Sequence, residues 1–467
     1  MRKGLLSTIS LILLILVITI TCGCDSKKNN SVTRENTNLY DYSLNKDDRI
    51  NIHGWNLPVL EKDEVKGYDT EKNNSIIKDF TDAGMNILHL TGKNIWTYNF
   101  SEESCNNYIE LMNYLKSKGI MSTVFGYNAV NIENNDLLAN MPDFTDSDGF
   151  YSLLAWDEPE TKTMSKIGLI AKEFENIYGS NSIFYVNLLP SYASIFSTGG
   201  YDEYFEAYGD IVLSQISGKK IISVDSYPLK DDQSIMQNFL YDLAMIRYYS
   251  NMYDAEAHIA MQCCTTGGLK NRTPEQSELS MMAYTALALG MESLSWYTYS
   301  DHQEEGEKQP ISPTSNDGTK REVYDSLKQV NEYINFFGYV YKCFEWKGVI
   351  LDGSNQSGAM SLIKRNRSLS KLVYLANETE TLNSITADSD YVIGYMKDKN
   401  NNDGFMIANY GSLKDNHSLK LTLDFGDYNK AQVYKNGEMQ IVTLNNGVLE
   451  LNFEYGEGAF VIPYYEG

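Results

Sequence analysis

Residues 151–158 read YSLLAWDE, and Pro159 follows at once. The apolar run looks like a buried strand, yet it ends in two adjacent carboxylates. Seven other short runs, rich in β-branched and aromatic residues, share its texture: 50–56 (INIHGWN), 85–91 (MNILHLT), 120–127 (IMSTVFGY), 182–189 (SIFYVNLL), 221–227 (IISVDSY), 257–264 (AHIAMQCC) and 291–298 (MESLSWYT). Amphipathic stretches separate them at 72–84, 101–118, 160–178, 234–252, 273–290 and 319–341, with weaker ones after the third and fifth runs. Strand and helix patterns alternating from 47 to 341 predict an α/β fold, a (β/α)8 TIM barrel. A doubly wound open sheet is the alternative, but no glycine-rich turn follows the first strand.

From residue 342 the texture changes. Short alternating runs such as GVILDG, KLVYLAN, YVIGYMKD, GFMIANYG, SLKLTLDF, AQVYKNG and GAFVIPYY are divided by Asn, Gly and Asp turns, with no long helical pattern among them. Residues 342–467 are therefore expected to form an antiparallel β-sandwich packed behind the last barrel helix. The full chain of 467 residues, 42% hydrophobic and 12% aromatic, is large enough for two such cores.

The N-terminus has a different character. Arg2 and Lys3 precede an apolar run from Leu11 to Ile20, then Thr21-Cys22-Gly23-Cys24 and the polar DSKKNNS. This predicts a lipoprotein signal peptide over 1–23, lipid modification at Cys24 with Cys22 as second choice, and a polar linker over 24–46. An uncleaved membrane anchor is the alternative. Either way the body is expected outside the cytoplasm, as a membrane-anchored lipoprotein at the cell surface or secreted. Cys105, Cys263, Cys264 and Cys343 match no metal-ligand spacing and read as free and structural. A net charge of −23 argues against nucleic acid as a partner. No His-Glu-x-x-His pattern, EF-hand loop or phosphate loop appears, so neither metal nor cofactor is expected.

In a barrel of this type, polar residues at the C-terminal strand ends are candidate chemistry. Strict alternation would put Leu154, Trp156 and Glu158 on one face and Ala155 and Asp157 on the other. If the first face is inward, Pro159 would hold Glu158 extended in the barrel mouth, partly desolvated and beside Asp157, conditions that keep a carboxyl protonated. The simpler reading of Asp-Glu-Pro is an acidic helix start. Strand six repeats the layout: ISVDSYPL places Ser223, Asp225 and Tyr227 on one face and ends at Pro228. Asp225 could equally be a cap. Carboxylates converging on one mouth are the minimum equipment for glycoside hydrolysis. Trp55, Asn56, Tyr127, Asn128, Asn187, Gln262, Trp296, Tyr297 and Tyr299 at other strand ends offer rings and amides suited to a carbohydrate. His53 and His89 read as core histidines, and SDHQEEGE at 300–307 as a polar loop over the mouth.

These features resemble the barrel-type glycoside hydrolases with a C-terminal β-sandwich, the β-galactosidase-like and cellulase-like group. The resemblance rests on AWDEP at 155–159, VDSYP at 224–228, RTPEQSELSMMAYTALALGMESLSWYTY at 272–299, and DYVIGYMKD with FMIANYG in the sandwich. It implies that Glu158 is the acid/base glutamate and that Asp157 stands where many retaining members have asparagine. Strand seven, IAMQCCTTGG, departs from the group: Gln262 and two cysteines stand where those members place a glutamate nucleophile. Two mechanisms are then open. Glu158 could act with Asp225, inverting at a separation of about 6.5–9.5 Å or retaining at about 5 Å. Alternatively, Asp157 could orient a substrate acetamido group while Glu158 protonates the leaving oxygen and Tyr227 assists. The expected function is hydrolysis of an O-glycosidic bond in an extracellular glycan. Competing readings are a non-catalytic glycan-binding lipoprotein on a degenerate barrel and a purely structural surface protein.

Overall fold

The computed structural model describes residues 35–90, 102–125, 147–197, 199–230, 238–265, 272–301, 311–352, 357–411 and 418–467. The first eight strands are β1 (Asn51–Trp55), β2 (Ile87–Leu90), β3 (Met121–Phe125), β4 (Phe150–Asp157), β5 (Ile183–Leu188), β6 (Ile221–Ser226), β7 (Glu256–Gln262) and β8 (Ser293–Tyr297). Each pairs in parallel with the next, and β8 returns to β1, closing the barrel. Around it run α1 (Glu71–Asp82), α2 (Glu102–Ser117), α3 (Met164–Tyr178), α4 (Tyr201–Ala207), α5 (Asn238–Tyr253), α6 (Gln276–Ala288) and α7 (Glu322–Tyr341). The weaker helical pattern after strand five is the short α4; that after strand three lies outside the described residues.

Local chemistry sets these boundaries. The Thr70 side chain accepts from Asn73 N at 3.2 Å and caps α1, whose Ile76, Ile77 and Phe80 turn inward. β1 can lie flat on that helix because Gly54 has no side chain: a Cβ there would sit 2.5 Å from the Phe80 ring. Inside the barrel, Trp55, Leu154, Ile183, Tyr185 and Ile221 form one apolar layer. Leu153, Ala155, Phe184, Val186, Ile222 and Val224 point the other way, into the helix layer.

Beneath the inner layer is a polar floor. His53 Nδ1 and His89 Nε2 share a hydrogen bond of 2.9 Å, Ser293 Oγ and His53 Nε2 share one of 2.8 Å, and His89 stacks under Trp55 with ring centroids 4.3 Å apart. Burial and the neighbouring His258 hold the His89 imidazole down at about 3. Both histidines are therefore neutral parts of the core.

The C-terminal region forms β9 (Phe344–Asp352), α8 (Ser357–Arg365), β10 (Ser384–Ala387), β11 (Tyr391–Asp398), β12 (Asp403–Asn409), β13 (Leu419–Asp424), β14 (Lys430–Lys435), β15 (Glu438–Thr443), β16 (Val448–Phe453) and β17 (Gly458–Tyr464). A six-stranded antiparallel sheet, β15-β14-β17-β12-β11-β9, faces a three-stranded one, β10-β13-β16, across a core containing Ile393, Phe405, Leu421 and Leu449. The outer face of the larger sheet packs on the barrel: Phe460 meets Phe337 and Tyr341 of α7, and Gly394 lies against the Ala288 carbonyl at the end of α6.

One expectation fails here. KLVYLAN is not a strand: Leu369–Leu372 is a 3₁₀ turn, and Val373 makes a lone bridge to Val349. A helix, α8, precedes it. Its buried Ala359, Met360 and Ile363, followed by Leu369 and Leu372, join the barrel's hydrophobic cluster, so these apolar residues serve docking rather than a sheet. Among the described residues, Cys263 and Cys264 are free and buried and Cys343 is free and half-buried. No helix among them is long and apolar enough to cross a membrane.

Candidate active site

β4 does not keep strict alternation. Leu154 pairs with Tyr185, but the next pair is Trp156 with Val186, then Asp157 with Asn187, so Ala155 is an extra residue that no partner matches. The bulge reverses side-chain parity. Trp156 turns outward into the helix layer with Leu153 and Ala155, while Asp157 follows Leu154 inward. The expected grouping of Leu154, Trp156 and Glu158 on one face is therefore corrected.

Glu158 also departs from expectation. Its φ is +49°, left-handed rather than extended, and its side chain is exposed. Pro159 favours extended backbone at the residue before it, so the left-handed turn at Glu158 is set by its surroundings rather than by the proline. Two hydrogen bonds hold that turn: Glu158 N donates to Asn187 O at 2.8 Å, and Tyr204 OH donates to Pro159 O at 2.7 Å. The desolvation expected for Glu158 falls instead on its two neighbours.

Asn187 Nδ2 donates to Asp157 Oδ1 at 3.0 Å, and Asn187 Oδ1 accepts from Ser223 Oγ at 3.0 Å. Burial pushes the Asp157 carboxyl up to about 7, with the Asn187 bond opposing and the Glu158 charge adding to the rise. Asp225 is only 3% exposed, and burial, then the charges of Glu158 and Asp157, push its carboxyl well above the usual range. Its Oδ1 has no hydrogen-bond partner among the described residues. Burial therefore favours the protonated form of Asp225, beside the exposed Glu158.

Rings wall this cluster. Tyr227 stacks on Tyr297 at 5.4 Å, and Tyr297 meets the edge of Trp55 at 5.7 Å. Trp55 lies under the mouth, its Nε1 donating to Ser295 Oγ at 2.8 Å. Other expected substrate contacts are placed elsewhere. Trp296 is fully buried and faces α7, donating to Asn331 Oδ1 at 3.0 Å. Tyr299 packs edge-on against Phe80 at 5.2 Å. Asn56 is buried and donates to Thr298 Oγ1 at 2.8 Å. Gln262 is fully buried, accepting from Leu229 N at 3.2 Å and donating to Arg272 O at 2.7 Å and Cys264 O at 3.2 Å. It fastens loops. Tyr127, Asn128, Cys24 and residues 302–310 lie outside the described residues.

Residues that the sequence reading passed over support the site. Tyr192 OH accepts from Tyr227 N at 3.0 Å. Asp242 of α5, fully buried, accepts from Ser191 N at 3.0 Å and from Ser226 Oγ at 2.9 Å, tying the loop after β5 to the end of β6 beside Asp225. Burial raises its carboxyl to about 6 despite these bonds. A lone acid within the apolar run NFLYDLAMI was the available signal. Among the described residues, no group of three or more His, Cys, Asp or Glu side chains is arranged to hold a metal ion.

A closed eight-stranded parallel barrel followed by antiparallel sheets is the fold of barrel-type glycoside hydrolases. Among solved structures, the chain is similar to a β-galactosidase from Bacillus circulans sp. alkalophilus, with a TM-score of 0.51 and 9% identity over 89% of this chain and 99% of that one. Other solved structures it resembles are a family 5 glycoside hydrolase from Bacteroides vulgatus (TM-score 0.43, 11% identity, 89% of each chain) and a family 39 glycoside hydrolase from the gut symbiont Bacteroides cellulosilyticus (TM-score 0.41, 10% identity, 90% of this chain and 82% of that one). Likeness at such identity speaks for the fold alone. No protein-family model matches the chain, and no curated protein does.

Proposed function

We propose that this chain is a glycoside hydrolase that cleaves an O-glycosidic bond of an extracellular glycan, with Glu158, Asp225 and Asp157 as its carboxyl groups. The observation that carries the reading is the convergence, at the C-terminal end of the barrel, of the buried Asp225 and the inward Asp157 with the exposed Glu158, whose charge raises the carboxyl groups of both. Asp225, desolvated, stores the proton; Glu158, open to the mouth, passes it to the leaving oxygen as the glycosidic C–O bond breaks. The hydrogen bond from Asn187 that fixes Asp157 inward supports it as the second carboxyl group of this reading, with Asp225 as its rival for that role; the substrate-assisted mechanism uses Asp157. Held by Asn187 and facing inward, it would orient a substrate acetamido group that attacks the anomeric carbon, with water completing hydrolysis. Tyr227, Tyr297 and Asn187 would contact the sugar. Cys24 would carry the lipid that anchors the exported protein to the membrane.

One observation favours a second reading, a glycan-binding protein without turnover. The end of β7 offers no carboxylate, only the fully engaged Gln262 and the buried Cys263 and Cys264. A panel of chromogenic glycosides that includes N-acetylhexosaminides separates the two. Hydrolysis that falls by about 10²–10⁴-fold in Glu158→Gln supports the enzyme; wild-type turnover in that variant removes Glu158 from its role. The substrate-assisted step requires Asp157→Asn to lose more activity than Asp225→Asn. Binding of oligosaccharides with no cleavage on long incubation would establish the binding protein instead.

A further inference from the structure

Glu158 holds a left-handed backbone, with φ +49°, although it is not glycine and a proline follows it. Such a conformation persists only where its surroundings fix it. Two strand ends meet at this point. β4 stops at Asp157 and the neighbouring β5 at Leu188, so the backbone groups that come next have left the ladder and need other partners. Glu158 N finds Asn187 O at 2.8 Å. Pro159 O, one residue past Glu158, and Leu189 N, two residues past Asn187, share a single hydroxyl. Tyr204 OH accepts from Leu189 N at 3.1 Å and donates to Pro159 O at 2.7 Å.

Tyr204 belongs to α4, in the connection from β5 to β6, and is fully buried. Its ring packs against Phe196 at 5.0 Å and Phe205 at 6.3 Å, so the hydroxyl is delivered from a packed base. One turn earlier on the same helix, Tyr201 OH donates to Leu189 O at 3.2 Å, and the loop after β5 is gripped at both of its backbone groups. A phenol has one proton to give. That of Tyr204 is committed to Pro159 O, which leaves the residue a fastener and not a proton donor. We infer that Tyr204 is a positioning residue for the acid: its hydroxyl ties the end of β4 to the end of β5 and so sets the turn that presents Glu158 to the mouth. This role rests on the reading of Glu158 as the group that protonates the leaving oxygen. Tyr204, sealed from solvent, acts on Glu158 through the backbone that follows it.

Tyr204→Phe removes the hydroxyl and keeps the ring. The full chain is assayed on the phenyl and dinitrophenyl glycosides of a sugar that the wild type cleaves, reading kcat/KM for each. Dinitrophenolate leaves without a proton and phenolate needs one, so the phenyl glycoside alone reports on the acid. In Tyr204→Phe its cleavage should fall by about 10–100-fold, and that of the dinitrophenyl glycoside by less than about threefold. Tyr208→Phe is the control: it loses a buried bond to Ile221 O, 3.0 Å long and at the far end of β6, and should treat both leaving groups alike. Glu158→Gln should show the bias of Tyr204→Phe, enlarged. An equal loss on both glycosides in Tyr204→Phe, or no loss on the phenyl glycoside, would overturn the positioning role while a biased Glu158→Gln left the acid in place. An unbiased Glu158→Gln, or a wild type that cleaves no glycoside, would overturn the reading of the mouth and this role with it.

Discussion

Asn187 holds Asp157 through a single hydrogen bond of 3.0 Å, and that bond joins two strands at the level where the barrel opens. Its partner carboxyl is raised by burial from the ordinary 3.8 to about 7, so the stability it contributes is present in full below about 3.8 and lost as pH rises through about 7. Asp157→Asn keeps an oxygen for Asn187 and cannot ionise. Its urea midpoint should match the wild type near pH 4 and exceed it at pH 8, by roughly 1–2 kcal/mol after allowing for solvent screening at the half-buried carboxyl. A gap that stays constant with pH would mean that Asp157 does not titrate in the folded chain.

The histidine floor predicts the opposite slope. The His89 imidazole is held down at about 3 in the fold and titrates at about 6.5 when exposed, so its stabilisation is present above about 6.5 and lost as pH falls towards 3. Within that window the wild type should lose up to about 1.4 kcal/mol per pH unit from this residue. His89→Asn should be less stable at pH 7 but show a shallower decline from pH 7 to pH 5 in the same unfolding assay.

Asp242 is the fastener behind Asp225. Asp242→Ala leaves Ser191 N and Ser226 Oγ without their buried acceptor and should cost about 2–4 kcal/mol. Calorimetry should show a lowered Tm for Asp242→Ala and partial recovery in Asp242→Asn, which keeps one acceptor oxygen. An unchanged Tm in both would mean that the network carries no stability.

The junction between the two domains depends on a missing side chain. A Cβ at Gly394 would collide with the Ala288 carbonyl at the end of α6. Gly394→Ala should cost about 1–3 kcal/mol, and limited proteolysis should cut the chain faster around residue 342, where the last barrel helix gives way to the sandwich.

The order of strands was legible because strands buried on both sides read as short apolar runs, and turn residues punctuate them. The facing of side chains near the site was less so. Ala155 and Trp156 are both apolar, and nothing in YSLLAWDE marks one residue as extra, so parity beyond Leu154 could be known only from the pairing with β5. At the end of β8, three aromatics stand within four residues. Only the registered strand separates Tyr297, which reaches the mouth, from Trp296, which packs on α7. Gln262 has the chemistry of a sugar ligand, but backbone groups of neighbouring loops take its amide. Asp225 was found by alternation because β6 has no bulge: its six residues pair one by one with β7.

That contrast between β4 and β6 has a further meaning. On β6 the identity of the inward carboxylate follows from sequence position alone, but on β4 it depends on backbone length. Losing one residue at Ala155 would leave every later side chain intact and rotate Asp157 out of the barrel. The acidic pair is thus indexed by an offset in the main chain, and relatives built on this plan should be aligned by strand register, since a gap-free match of Asp-Glu-Pro could superimpose side chains that face opposite ways.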